Sequence, residues 1–122
     1  MILVVDDDRE LCRSIQRLLK SYGFEAQCVH SANEAWEALG QQTPRVVLLD
    51  DHMPEKSGLE LAREIKSDPA VADVPIVMFS AGADPDRVAK ARELGVTDWI
   101  QKTRLDPDHL AARIGELYKA AS

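Results

Sequence analysis

The sequence has no excess of basic residues and no long apolar run, and each absence argues against a class of protein. Lys and Arg number 15 against 21 Asp and Glu, a formal net charge of −6, so the chain lacks the positive field that attracts nucleic acid or anionic membranes. The apolar opening from Met1 to Val5 stops at three aspartates, far short of a membrane span or a signal-peptide core. We therefore expect a cytoplasmic protein that does not itself bind nucleic acid or a membrane.

Cysteine and histidine are scarce and scattered. Cys12 and Cys28 show neither CxxC spacing nor the pattern of a disulfide framework, so we expect two reduced thiols, partly buried. His30, His52 and His109 have no ligand spacing, which argues against a transition-metal site. The length of 122 residues and the 45% hydrophobic content suit one domain over the whole chain, and no repeat or linker interrupts it.

Runs rich in β-branched residues alternate with amphipathic segments, and five such repeats indicate a parallel sheet covered by helices. The predicted strands are Ile2 to Val5, Glu25 to His30, Val46 to Leu49, Ile76 to Phe79 and Asp98 to Gln101. The first, third and fourth are continuously apolar, as strands buried on both faces are. The second alternates polar with apolar residues and the fifth is short, so we place both at the edges.

The helices have recognisable starts. Asp8 is a candidate cap for the first helix, and Ser31 with Glu34 forms a capping-box pattern for the second. The third is predicted over Gly58 to Ser67, while Asp84-Pro85 and Asp106-Pro107 start the fourth and fifth. We predict a single-domain α/β fold, a flavodoxin-like (βα)5 three-layer sandwich whose parallel five-stranded sheet has the order 2-1-3-4-5.

Polar residues follow four of the predicted strands. They are Asp6 and Asp7 after the first, Asp50 and Asp51 after the third, Ser80 after the fourth and Lys102 after the fifth. Taken singly, each is more often a turn former, a helix cap or a solvated lysine. Together they meet at the carboxyl edge of the sheet, where open parallel sheets bind ligands.

Carboxylates crowded at that edge require compensation. If the first and third strands are neighbours, Asp6, Asp7 and Asp50 lie close together, and like charges then raise a pKa or recruit a cation. Oxygen ligands without His or Cys favour Mg²⁺, which keeps positions for a phosphate oxygen. With Lys102 as a second positive charge and Ser80 as a hydroxyl donor, the set suits phosphoryl transfer to a carboxylate.

These segments resemble the receiver domain of two-component response regulators, including stand-alone chemotaxis-type regulators, over essentially the whole chain. The matching segments are Ile2 to Asp8, Val47 to Pro54, Gly58, Pro75 to Ala81 and Gly95 to Lys102. The resemblance implies that Asp50 accepts the phosphoryl group. It also implies that Asp6, Asp7, Asp50 and the His52 backbone carbonyl hold Mg²⁺, with Asp51 outside this set.

The resemblance further implies that Ser80 binds one phosphoryl oxygen and Lys102 pairs with another, both acting in catalysis. Ser80 and the aromatic Trp99 are then the switch residues that reposition the face of the fourth helix, fifth strand and fifth helix. In this family the lysine is commonly followed by proline, often with a cis bond. Here Thr103 follows, so the sequence predicts either a trans bond with a rearranged loop or a strained cis bond.

The implied donor is a phosphohistidine on a sensor histidine kinase or a histidine phosphotransfer protein. The family also suggests a homodimer that forms through the switch face. Such a domain catalyses its own phosphorylation and dephosphorylation and is not a metabolic enzyme. The alternative is a receiver fold that docks partners without phosphorylation, indicated by Thr103 and the Asp51-His52 pair. An aspartate-based small-molecule phosphatase fits poorly, because Asp8 is followed by Arg9 and not by a DxDxT-like loop.

Overall fold

The computed structural model describes residues 1–120, in which five β-strands alternate with five α-helices. The strands are β1 Ile2–Val5, β2 Ala26–Val29, β3 Val46–Leu49, β4 Ile76–Ser80 and β5 Asp98–Gln101. The helices are α1 Arg9–Ser21, α2 Ala32–Gln41, α3 Gly58–Ser67, α4 Pro85–Glu93 and α5 Pro107–Ala120. A short 3-10 helix, Lys102–Arg104, follows β5.

The sheet is parallel, with the order β2-β1-β3-β4-β5, which confirms the predicted flavodoxin-like topology. Every residue of β1, β3 and β4 is buried, because these central strands are covered on both faces. The edge strands β2 and β5 are only partly buried, as their weaker apolar patterns predict. The continuously apolar strands therefore set the middle of the sheet.

Two apolar layers flank the sheet, since successive strand residues face opposite sides. Leu3 and Val5 pack into a cluster with residues of α2, α3 and α4, whereas Ile2 and Val4 pack with α1 and α5. This gives the three-layer sandwich predicted from the sequence. Among the described residues, no helix has the length and apolar character needed to cross a bilayer.

Side-chain caps fix the helices that begin near the carboxyl edge of the sheet. Asp8 accepts a hydrogen bond from the Leu11 N–H at 3.0 Å, as predicted for the start of α1. Ser31 accepts the Glu34 N–H at 3.1 Å, which is the forward half of the predicted capping box. The full reciprocal box occurs at α3, between Ser57 and Glu60, where the sequence analysis did not place one.

Candidate functional site

The site lies where β1 and β3 end side by side. Val5 is paired with Leu49 in the parallel register, so Asp6 and Asp50 leave the sheet at the same level. The Asp50 N–H donates to the Val5 carbonyl at 2.9 Å, which extends the ladder one residue beyond β3. Asp6 is 3% exposed and Asp50 4% exposed, so both acids are held at the buried base of the edge.

Three carboxylates form one cluster there. Asp6, Asp7 and Asp50 each offer an oxygen, and these oxygens lie within 4.8 Å of one another. Burial and the charge of Asp6 raise the pKa of Asp50 to about 6, although Lys102 opposes the rise. The cluster therefore holds more negative charge than its protein partners neutralise.

Lys102 is the cation that reaches this cluster. Its Nζ donates to Asp6 Oδ2 at 2.7 Å and lies 3.3 Å from Asp50 Oδ1. Burial disfavours the charged ammonium, but the hydrogen bond to Asp6 and the charges of Asp50 and Asp6 outweigh it and raise the pKa of Lys102. One lysine does not neutralise three carboxylates, so the cluster can bind a further cation. The all-oxygen donor set fits a hard divalent ion such as Mg²⁺.

Ser80 is the last residue of β4, one residue beyond the strand end predicted at Phe79. Its side chain is fully buried, and within residues 1–120 its Oγ has no hydrogen-bond partner. A buried hydroxyl without a partner is costly and uncommon in folded proteins. An oxygen-rich group bound at this edge would satisfy it.

Gly58 allows α3 to start against the strand end that carries Asp50. A Cβ at this position would lie 2.0 Å from the Asp50 carbonyl oxygen, so any side chain would displace the backbone. The Gly58 N–H donates to the Asp51 carbonyl at 3.0 Å. The glycine thus fixes the loop that shapes the site; the sequence had predicted it as the start of the third helix and as a match to the family, but not its close approach to Asp50.

Asp51 does not belong to the acidic cluster. Its carboxylate accepts the Arg87 Nε at 2.5 Å, the Arg87 Nη2 at 2.8 Å and the Leu59 N–H at 3.1 Å. Burial opposes ionisation, but the hydrogen bonds from Arg87 and Leu59 prevail and lower the pKa of Asp51. Arg87 was not predicted from the sequence, because nothing in the local pattern of α4 marks it as the partner of an aspartate 36 residues earlier.

The remaining predicted residues border the cluster. His52 is exposed, and its backbone hydrogen bond to the Asp50 carboxylate partly offsets the rise in the pKa of Asp50. Trp99 is half-buried, and its Nε1 donates to the Gly82 carbonyl at 2.9 Å, which ties β5 to the loop after Ser80. No peptide bond in the described part of the chain is cis, so the Lys102–Thr103 bond is trans and the following loop forms the 3-10 helix, the first of the two predicted outcomes.

The family model of the response regulator receiver domain matches residues 2–115. The chain belongs to this family. The receiver domain is 34% identical over 113 residues to the phosphate regulon transcriptional regulatory protein PhoB of Pseudomonas aeruginosa, covering 93% of this chain and 49% of that protein. It is also 34% identical over 113 residues to the DNA-binding response regulator MtrA of Mycobacterium tuberculosis, covering 93% and 48%. The chain thus spans about half the length of these curated relatives.

Solved receiver structures show the same architecture. The signal receiver domain of a signal transduction histidine kinase from Syntrophus aciditrophicus is 27% identical, has a TM-score of 0.88 and aligns over 98% of this chain and 89% of that one. A CheY-like receiver domain protein from Methanospirillum hungatei has a TM-score of 0.90 over 98% of this chain and 94% of that one, and at 22% identity it shows the fold alone. The prediction of a receiver domain of two-component systems is confirmed, and the docking-only alternative is not favoured.

Proposed function

We propose that this receiver domain accepts a phosphoryl group on Asp50 from a phosphohistidine of a sensor histidine kinase or a histidine phosphotransfer protein, in the cytoplasm. The observation that carries the proposal is the under-compensated acidic cluster next to a buried, unpartnered hydroxyl. Asp50 shares that cluster with Asp6 and Asp7, Lys102 reaches two of its carboxylates, and the Ser80 Oγ lacks a partner within residues 1–120.

In the proposed reaction, a carboxylate oxygen of Asp50 attacks the phosphorus and forms an acyl phosphate. The phosphorus–nitrogen bond to the donor imidazole breaks, and its electron pair remains on that nitrogen. Lys102 pairs with one phosphoryl oxygen and Ser80 donates its hydroxyl hydrogen to another, so both act as catalytic residues by neutralising charge on the transferred group. In the later dephosphorylation step, water attacks the phosphorus, inorganic phosphate leaves, and the Asp50 carboxylate is restored.

We assign Asp6, Asp7 and Asp50, together with the His52 backbone carbonyl, as the residues that would hold Mg²⁺. When bound, the ion supplies positive charge to the phosphoryl oxygens and lowers the cost of ionising Asp50. The all-oxygen donor set supports this assignment. Without that charge, burial and the neighbouring Asp6 make ionisation of Asp50 more costly than in water and raise its pKa to about 6.

The proposed output is a change in the face formed by α4, β5 and α5, with Ser80 and Trp99 as switch residues. The hydrogen bond from Trp99 to the Gly82 carbonyl supports this, because it joins β5 to the loop that Ser80 begins. Partner proteins would bind this face, and a second copy of the chain could pair through it. A net charge of −6 is unsuited to DNA phosphates, so we propose that this domain does not itself contact nucleic acid.

Phosphorylation by a small donor tests the proposal. The protein is incubated with Mg²⁺ and acetyl phosphate and its intact mass is measured, with Asp50→Asn and an EDTA-treated sample as controls. We expect one added phosphoryl group on the wild type and none on either control. No added mass on the wild type, or an unchanged addition on Asp50→Asn, would contradict the assignment and return the docking-only alternative.

A further inference from the structure

The aspartate that follows Asp50 has a complete set of partners of its own. The Asp51 side chain is 1% exposed, and two nitrogens of Arg87 bind it in bidentate fashion at 2.5 and 2.8 Å. The Leu59 N–H in the first turn of α3 is a third donor, at 3.1 Å. A bidentate Arg–carboxylate pair of this kind fixes both position and orientation.

This pair connects three elements. Asp51 lies in the loop immediately after the proposed acceptor, Leu59 belongs to the first turn of α3, and Arg87 is in the first turn of α4. The Asp51 backbone is held as well, since its carbonyl accepts the Gly58 N–H at 3.0 Å. The ion pair therefore joins the acceptor loop directly to the start of α4.

α4 buries fewer residues than the neighbouring helices, so polar contacts such as the Asp51–Arg87 pair contribute more to its placement. Ala91 is the one fully buried residue of α4, whereas α3 buries five residues and α5 buries four. The segment from Ala81 to Asp84 links Ser80 to α4, and the Trp99 indole holds its middle through the Gly82 carbonyl. The segment thus follows Ser80 and leads into the first turn of α4, where Arg87 binds Asp51, the residue after the proposed acceptor.

We infer that the Asp51–Arg87 ion pair is a tether that couples the state of Asp50 to the position of α4, with Asp51 and Arg87 acting as positioning residues. That phosphorylation is the signal which reaches α4 rests on the proposed function of Asp50. The tether itself is a property of the unphosphorylated protein. An experiment can therefore test the tether and the phosphorylation of Asp50 separately.

Amide hydrogen exchange of α4 is the measurement, with and without beryllofluoride and Mg²⁺ as a mimic of an aspartyl phosphate. The test variant is Arg87→Met. The matched control is Arg113→Met, which removes another bidentate Arg–Asp pair, from Arg113 of α5 to Asp98 of β5 at 2.8 to 3.1 Å. Thermal shift on adding the probe reports its binding in each variant.

Without the probe, we expect the α4 amides to exchange at least about tenfold faster in Arg87→Met than in the wild type, and at the wild-type rate in Arg113→Met. With the probe, α4 exchange should change in the wild type and in Arg113→Met. In Arg87→Met the probe should still bind within about tenfold of the wild-type affinity, while α4 no longer responds.

If the single variant unfolds, Asp51→Leu/Arg87→Met removes the pair without leaving a buried charge, and α4 should remain unresponsive in it. A wild-type response of α4 to the probe in Arg87→Met, or in the double variant Asp51→Leu/Arg87→Met, overturns the tether. Equal α4 exchange in Arg87→Met and the wild type without the probe overturns it as well. Failure of the wild type to bind the probe instead contradicts the proposed function of Asp50.

Discussion

Asp50 and Asp51 are consecutive buried aspartates in opposite electrostatic surroundings. Asp50 is buried beside Asp6, and the two carboxylates share Lys102 as their counter-charge, so the pKa of Asp50 rises to about 6. Asp51 has a guanidinium and a backbone N–H to itself, and its pKa falls. Under-compensated charge marks a site that binds something else, whereas fully compensated charge marks a structural contact.

Arg87→Met should have the largest effect on stability, because it leaves the Asp51 carboxylate buried without its counter-charge. We expect the free energy of unfolding to fall by about 2–4 kcal/mol at pH 7, less than for a wholly buried pair since the Arg87 side chain is 34% exposed. Urea denaturation measures it. Asp51→Leu/Arg87→Met should recover most of the loss. An equal loss of stability in Arg113→Met would show that the burial of Asp51 does not make its ion pair more important than the Arg113–Asp98 pair.

Gly58→Ala tests the backbone that separates the two aspartates. The added Cβ would lie 2.0 Å from the Asp50 carbonyl oxygen, so we expect the free energy of unfolding to fall by about 1–3 kcal/mol and phosphorylation by acetyl phosphate to slow. Gly40→Ala is the matched control, because nothing lies within 4 Å of its added Cβ and alanine favours a helix. Similar stability of the two variants would contradict the close approach.

The pH dependence of stability separates Asp50 from Asp51 directly. Folded Asp50 keeps its proton up to about pH 6, while its ordinary pKa is 3.8, so the folded state binds more protons between these values. The free energy of unfolding should therefore fall as pH rises through this range, relative to Asp50→Asn. Asp51, with a lowered pKa, contributes stability that is lost only at lower pH.

Urea denaturation from pH 3 to 8 of the wild type and Asp50→Asn gives this difference, in which the contributions of groups remote from Asp50 cancel. Saturating Mg²⁺ should reduce the fall, because a bound cation favours the ionised carboxylate. Parallel curves for the two proteins would mean that Asp50 titrates normally and that the contrast with Asp51 is wrong.

Ser80→Ala should have the smallest effect on stability. The Ser80 Oγ has no partner among the described residues, so its removal leaves no group unpaired, and we expect a change of at most about 1 kcal/mol in either direction. The rate of phosphorylation by acetyl phosphate should nevertheless fall by about tenfold or more, because a donor to the phosphoryl group is lost. A large loss of stability without a change in this rate would contradict its role.

The fold could be predicted closely from the sequence because the apolar pattern of each strand indicates how deeply that strand is buried. The continuous apolar runs of β1, β3 and β4 require cover on both faces, and that alone places them in the middle of the sheet. The candidate site followed from the same logic, since polar residues after parallel strands must meet at one edge. These inferences depend on local patterns and topology.

Long-range side-chain partners could not be predicted in the same way. Asp51 was placed outside the metal-binding set by family resemblance, but its partner was not identified, since both Arg87 and Arg92 lie on α4 and only packing selects between them. Glu64 is a second example: it accepts hydrogen bonds from Lys56 and the Trp36 indole at 2.5 and 3.2 Å, and no local pattern in α3 predicts either partner. Such contacts depend on how helices pack, which the hydrophobic pattern leaves open.

The most direct measurement asks which of the two adjacent aspartates carries the phosphoryl group. After treatment with acetyl phosphate and Mg²⁺, borohydride reduces the acyl phosphate to an alcohol, and tandem mass spectrometry of the peptide locates the resulting homoserine. We predict homoserine at position 50 and unmodified aspartate at position 51. Homoserine at position 51, or at position 6 or 7, would contradict the contrast between an under-compensated Asp50 and a fully paired Asp51.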